Sequence, residues 1–81
     1  MSLKLKVGDR VVLKKEVERF DNFIAPVGWM GIVVETGSDY LSVWMERRLF
    51  GAEDWNNCVI WTKADYSHND GPENYLSHVG G

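Results

Sequence analysis

The fold-deciding stretch is Gly28-Trp29-Met30-Gly31-Ile32-Val33-Val34-Glu35-Thr36-Gly37-Ser38-Asp39-Tyr40-Leu41-Ser42-Val43-Trp44-Met45-Glu46. Two segments rich in β-branched and other apolar residues flank residues 36–39, whose composition is typical of a tight hairpin turn. In the second segment Leu41, Val43 and Met45 alternate with Tyr40, Ser42, Trp44 and Glu46. This period of two indicates a strand with one buried face. The stretch therefore predicts a β-hairpin, with strands over residues 31–35 and 40–46.

Two further strands are expected outside this hairpin. Residues 10–14 follow a Gly-Asp turn and are rich in β-branched side chains. Residues 58–62 form a short apolar run in which Val59 and Trp61 share a face, and we assign that face to the core. Residues 15–28 form a long excursion, and we expect its large apolar side chains to fold back over one end of the sheet.

The composition changes after Lys63, where Ser, His, Asn, Asp, Gly and Pro dominate. We interpret residues 64–81 as an irregular C-terminal tail. Residues 72–78 are expected to form one helical turn, with Pro72 at the first helical position. Tyr75, Leu76 and Val79 would dock this turn on the sheet, and a fifth strand is expected from either the first residues or this tail.

These elements predict an all-β fold. An 81-residue chain has room for one modest core. An open sheet of short strands leaves unpaired edges, and closing or nearly closing the sheet removes this problem. We therefore expect a small, strongly bent antiparallel barrel of about five strands over residues 1–63, with long loops.

The charge distribution bears on the class of partner. The net charge is −3, divided into +3 over residues 1–20, −4 over residues 21–62 and −2 over residues 63–81. Nucleic-acid-binding proteins usually carry a basic stripe, so this balance disfavours nucleic acid as a partner. The residues that would form such a stripe are Lys4, Lys6, Lys14, Lys15, Arg47 and Arg48.

Reactive side chains are few. Cys58 is the single cysteine, so an intramolecular disulfide is excluded, and we expect a buried, inert thiol.

The sequence contains neither a signal peptide nor a long apolar run, so a cytoplasmic location without membrane contact is expected. No catalytic motif, cofactor motif or metal-ligand spacing is recognisable. Whether the protein is an enzyme is left open.

The segments Val7-Gly8-Asp9-Arg10-Val11 and Gly28-Trp29-Met30-Gly31-Ile32-Val33-Val34 resemble the opening of SH3-like barrels of the KOW type. The resemblance covers about residues 7–62 and implies the barrel fold. Gly28 and Gly31 would stand at a sharp turn or a close backbone approach. RNA-binding members place basic residues around the second glycine, whereas Trp29 and Met30 precede it here.

A second resemblance concerns residues 17–28, 51–57 and 59–61. They are similar to small uncharacterised proteins of bacteria, their phages and mobile elements such as integron cassettes. This similarity implies a compact barrel and no particular chemistry.

Aromatic residues supply the candidate binding site, which consists of Trp29, Tyr40, Trp44, Asp54 and Trp55. If Leu41, Val43 and Met45 fill the core, Tyr40 and Trp44 lie on the outer face, where Trp and Tyr are effective interface anchors. Trp55 and Asp54 would line an acidic, aromatic groove suited to a cationic or proline-rich ligand. The alternatives are that a loop or the tail covers the outer face and that Trp55 closes one end of the barrel.

These observations favour a non-catalytic binding or adaptor module that mediates protein–protein contacts or self-association. A homo-oligomer is expected because a core of this size is marginal and exposed Trp favours association. The alternatives are a nucleic-acid accessory module and a small oligomeric enzyme with its active site at a subunit interface.

Overall fold

The computed structural model describes residues 5–19, 23–48 and 56–79. Strands dominate this part of the chain, which is all-β with one short helix. The elements are β1 Arg10–Leu13, β2 Val17–Arg19, β3 Phe23–Ala25, β4 Met30–Gly37, β5 Tyr40–Met45, β6 Cys58–Trp61, α1 Lys63–Ser67, a 3₁₀ turn Pro72–Asn74 and β7 Leu76–His78.

Five of these strands form one antiparallel sheet in the order β6-β5-β4-β1-β7. The predicted hairpin is confirmed as β4 and β5, with Gly37 paired to Tyr40 across a two-residue turn. The strands predicted over residues 10–14 and 58–62 are also present, each one residue shorter. The fifth strand comes from the C-terminal segment, where β7 pairs with β1.

The two glycines that open β4 meet different backbone requirements. Gly28 has a φ of +94°, a conformation that side-chain-bearing residues rarely adopt. Gly31 lies where β4 approaches β5 closely, since a Cβ there would stand 2.7 Å from the Trp44 carbonyl oxygen and 2.7 Å from Val43 Cγ1. The sharp turn and the close approach expected from the sequence therefore occur at separate positions.

The excursion over residues 15–28 contains a hairpin that the sequence interpretation missed. Strands β2 and β3 pair with each other and form a second, two-stranded sheet. Val17 and Ala25 pair across it, and both are fully buried in the core. Ile24 is exposed, and Phe20, another large apolar residue of this excursion, lies outside the described residues.

The core lies on one face of the five-stranded sheet. Leu41, Val43 and Met45 are buried, which confirms the alternation predicted for β5. Val59 and Trp61 are buried as predicted for β6. These five side chains belong to a single hydrophobic cluster, and Trp29 and Tyr66 pack against its margin.

The two edge strands of the sheet, β6 and β7, are connected by an aromatic contact. The rings of Trp61 and Tyr75 lie 5.8 Å apart at an interplanar angle of 43°. In the described ranges no strand pairing joins β6 to β7, so backbone hydrogen bonds do not close the sheet into a ring.

The C-terminal segment is more regular than the predicted irregular tail. Helix α1 follows β6 directly, and the Asp65 carboxylate accepts a 2.8 Å hydrogen bond from the backbone N–H of Thr62 at its start. The turn predicted over residues 72–78 begins at Pro72 as expected but ends at Asn74. From Leu76 onward the chain is a strand, so the sheet extends past residue 63.

Candidate functional site on the outer face of β4, β5 and β6

The solvent side of β5 is built by its alternate residues Tyr40, Ser42 and Trp44. Strand register places Trp44 between Ile32 on β4 and Cys58 on β6. It also places Ser42 between Glu35 and Ile60. The expectation that Tyr40 and Trp44 lie on the outer face agrees with the structure, in which the Trp44 side chain is 41% exposed and Tyr40 is partly exposed.

A β-bulge adds an apolar side chain to this surface. The pairing of β4 with β5 shifts between Val33 and Glu35, so Val34 has no opposite residue on β5. Val33 is fully buried, whereas Val34 is 45% exposed. The extra residue therefore places a valine in solvent at the rim of the outer face.

These side chains line an open groove with a volume of about 490 Å³. Its lining consists of Val34, Glu35, Tyr40, Ser42, Trp44, Asn56, Cys58 and Ile60. Ser42 and Cys58 form the floor, because at 4% and 8% exposed they are the most buried of these lining residues. Tyr40 and Trp44 are four residues apart on one strand, which sets the two ends of the groove about 13 Å apart.

Among the described residues that line the groove, Glu35 is the one with a charged side chain. Burial of the Tyr40 ring raises the pKa of its hydroxyl above the ordinary value of 10.0, and the adjacent Glu35 charge raises that pKa further. A hydrogen bond between the Tyr40 and Glu35 side chains acts in the same direction. The groove therefore combines aromatic walls with an acidic rim.

Trp29 belongs to a different surface. It is partly buried at the start of β4 and packs against the core. The Arg47 guanidinium lies over its ring, with Cζ 5.8 Å from the centroid. Next to it, Arg10 Nη2 donates a 3.1 Å hydrogen bond to Glu46 Oε1. The structure thus separates Trp29 from the face that carries Tyr40 and Trp44.

The remaining predicted site residues, Asp54 and Trp55, lie outside the described residues. A combination of acidic and aromatic side chains occurs among the described residues at Glu35, Tyr40 and Trp44. Glu35 was not among the predicted site residues.

Val34 and Ile60 were also missed as site residues, although the sequence contains a signal for them. Ile32-Val33-Val34 and Cys58-Val59-Ile60-Trp61 are uninterrupted apolar runs. A strand that is apolar at successive positions has apolar side chains on both faces. Val59 and Trp61 fill the inner face, so Ile60 projects outward.

The basic residues are divided between the two ends of the sheet. Lys6 precedes β1, and its carbonyl accepts a hydrogen bond from the Asp9 N–H. Lys14 and Lys15 follow the opposite end of β1, where Lys15 Nζ lies 5.0 Å from the Tyr75 ring centroid. Arg47 and Arg48 follow β5 at this same end, and Lys4 lies outside the described residues.

The other reactive side chains, Cys58 and His78, contact neighbouring groups of the fold. Cys58 is a free, buried thiol whose Sγ donates a 3.5 Å hydrogen bond to the Asn56 carbonyl oxygen. His78 Nε2 lies 3.7 Å from Asp9 Oδ2. Within residues 5–19, 23–48 and 56–79, His, Cys, Asp and Glu side chains form no group of three that suits a metal ion. In these same ranges no helix has the length and apolar character needed to cross a membrane.

Comparisons with known proteins identify no related protein. No protein-family model matches the chain, and neither a curated protein nor a solved structure is significantly similar to it.

Proposed function

We propose that this protein is a non-catalytic binding module whose contact surface is the groove on the outer face of β4, β5 and β6. The observation that carries the proposal is the convergence of Trp44, Val34 and Ile60 on adjacent paired strands. Two of these large apolar side chains are more than two-fifths exposed.

An exposed Trp surrounded by aliphatic side chains has the composition of an interface hot spot. Covering it with a partner removes apolar area from water and gains about 25 cal/mol per Å² before the costs of association. Three hydrogen-bonded strands hold these side chains, so little backbone entropy is lost on binding. Protein–protein contact or self-association is therefore the function this surface supports best.

We further propose that the domain is an SH3-like barrel related to the KOW type. The sheet order β6-β5-β4-β1-β7 supports this proposal. Strands β1, β4, β5 and β6 form a meander, and β7 returns to pair beside β1. Contact between Trp61 and Tyr75 supports a strong bend that brings the two edge strands together.

The acidic net charge favours a protein partner over nucleic acid. A phosphate backbone is bound by cations that converge on one track. Here Lys14, Lys15, Arg47 and Arg48 share one end of the sheet and Lys6 stands at the other, while the chain as a whole has a net charge of −3. Two arginines already have contacts within the domain, since Arg10 is paired with Glu46 and Arg47 lies over the Trp29 ring.

A peptide-display selection on the immobilised full chain tests the binding function. The affinity of each selected peptide is then measured for Val34→Ser and for the matched variant Val27→Ser. Val27 is equally apolar, is 60% exposed and lies outside the groove lining. We expect Val34→Ser to weaken binding about threefold or more, because it removes apolar contact area. Equal effects of the two variants, or selection of no peptide, would overturn the proposed surface unless self-association uses it.

Self-association through the same face is tested by sedimentation velocity over a wide range of protein concentration. If two copies meet at the groove, the sedimentation coefficient rises with concentration and Trp44→Ser removes the rise. A concentration-independent monomer excludes self-association and leaves binding of another protein as the proposed function.

A further inference from the structure

We propose that the groove takes an extended peptide segment of another protein, with a Lys or Arg beside Glu35 and a large apolar side chain beside Trp44. This inference rests on the proposed function and specifies its ligand. The two side chains are expected at positions i and i+2 of the bound segment.

The dimensions of the groove favour a peptide over a single small cation. An aromatic cage holds a cation within about 6 Å of each ring centroid. Tyr40 and Trp44 are separated by four residues of one strand, about 13 Å at the backbone, which is longer than a cage around one ammonium group requires. An extended chain rises about 3.3 Å per residue, so about four residues fill this length along β5.

The charges in the groove specify the sign of the ligand. Glu35 contributes a carboxylate, and the described residues of the lining include no Lys, Arg or His. A bound carboxylate would face this charge without a compensating cation. A guanidinium or ammonium group would instead form an ion pair with Glu35, which is an exposed residue of the groove.

The strand register specifies the spacing. Glu35 pairs with Ser42, and Ser42 lies two residues from Trp44 on β5, a distance of about 6.6 Å along the strand. In an extended ligand running along β5, residues i and i+2 are equally far apart and project to the same side. A cation above Glu35 and an apolar group above Trp44 therefore occupy i and i+2.

A second copy of this chain fits the groove less well. In a two-fold contact each patch meets the same patch of its partner. Glu35 lies within the small lining, so two Glu35 carboxylates would be brought together and partly desolvated. Like charges in that position oppose association, and a basic segment of another protein removes this penalty.

The test uses three capped pentapeptides titrated into the isotopically labelled full chain, with backbone amide shifts as the readout. Ser-Leu-Thr-Arg-Ser carries the proposed pattern. Ser-Leu-Thr-Glu-Ser reverses the charge, and Ser-Leu-Arg-Thr-Ser places the two side chains on opposite sides. The protein variants are Glu35→Gln and the control Glu16→Gln, which removes a carboxylate outside the groove lining.

We expect the first peptide to shift amides of Glu35, Ser42, Trp44 and Ile60 and to bind about three- to fivefold more tightly than either control peptide. Glu35→Gln should remove its advantage over the charge-reversed peptide, and Glu16→Gln should retain it. Equal binding of all three peptides in the groove would overturn the charge and spacing rule while leaving the proposed function intact.

Two other outcomes are equally decisive. Shifts at these residues that depend on protein concentration, without peptide binding, would make a second copy the occupant and overturn this inference alone. Peptide shifts confined to the surface around Trp29 and Arg47 would overturn both this inference and the proposed surface.

Discussion

Trp61 and Tyr75 are in ring contact, with centroids 5.8 Å apart, although one lies in an edge strand and the other directly before the opposite edge strand of the five-stranded sheet. Trp61 ends β6, and Tyr75 immediately precedes β7. Both side chains are buried, and the Tyr75 hydroxyl donates a 2.5 Å hydrogen bond to Asp70 Oδ1. These contacts fix the segment that follows α1 against β6, the edge strand opposite β7.

Removing the Tyr75 hydroxyl is expected to destabilise the protein. Tyr75→Phe leaves the ring contact with Trp61 but deletes the hydrogen bond to Asp70. Because this bond reaches a carboxylate from a buried ring, we expect the free energy of unfolding to fall by about 1–2 kcal/mol. Chemical denaturation of the variant and the wild type measures the difference.

Tyr66→Phe provides the control, since it deletes the same atom from a partly exposed ring on α1. Its expected effect is about 0.5 kcal/mol or less. Equal losses for the two variants would mean that the Asp70 hydrogen bond does not stabilise the fold.

Gly31 should tolerate no side chain. In Gly31→Ala the new Cβ would stand 2.7 Å from the Trp44 carbonyl oxygen, which the sheet holds in place. We expect a loss of about 2–3 kcal/mol of stability, a typical overpacking penalty. Gly37→Ala is the matched control in the same strand, because the nearest atom to its Cβ lies 3.9 Å away. A thermal melt in which both variants behave alike would contradict the close approach of β4 and β5.

The central hairpin could be predicted because its signals are local. The turn residues and the alternation of Leu41, Val43 and Met45 lie within the segment itself. The same alternation predicts the outward position of Trp44. Burial of Trp61 followed from the same period-two pattern. These predictions needed only the assumption that one face of the sheet is covered.

The missed elements depend on contacts distant in sequence. Strands β2 and β3 have three residues each, too few for an alternation pattern, and burial of Val17 and Ala25 holds them in place. Helix α1 has five residues and no buried residue, so no helical periodicity marks it. The groove was missed in part because its Val34 contribution comes from a bulge, and pairing register is not readable from one strand alone.

Asn57 is expected to contribute stability by two separable means. Its Nδ2 donates hydrogen bonds of 2.9 Å to the Met45 carbonyl and 2.8 Å to the Arg47 carbonyl, and its φ is +60°. Asn57→Gly keeps the conformational freedom but loses both hydrogen bonds, and we expect a cost of about 1–2 kcal/mol. Asn57→Ala should cost about 1 kcal/mol more, because alanine is strained at positive φ.

The adjacent Asn56 provides the reference for this pair of variants. Its φ is +52°, and Asn56→Gly is expected to change the stability by less than about 0.5 kcal/mol. Denaturant midpoints for the three variants give the comparison. If Asn57→Gly proved as stable as the wild type, the two side-chain hydrogen bonds would have no role in ending β5.

Stability should fall in alkaline solution partly through Tyr40. Burial, with the Glu35 charge, raises the pKa of Tyr40 in the folded state, so the folded protein retains its phenolic proton at a pH where the unfolded chain has lost it. The unfolded state then binds fewer protons, and stability decreases as pH rises from about 10 through the folded pKa. Burial also raises the pKa of Tyr66, so two tyrosines contribute.

Absorbance titration of phenolate formation measures these pKa values, and Tyr40→Phe identifies the Tyr40 transition. Glu35→Gln should lower the pKa of Tyr40 towards 10, because it removes the neighbouring negative charge. An unchanged titration curve in Glu35→Gln would show that the two side chains do not interact in the groove.

The most direct test of the binding surface is a backbone amide map of the wild-type chain bound to a peptide obtained by display selection. Our account predicts that the largest shifts follow the groove on β4, β5 and β6, at Val34, Ser42, Trp44 and Ile60. The same peptide should lose its shifts in Trp44→Ser. A map centred on Trp29 and Arg47, with the groove amides unmoved, would contradict the account.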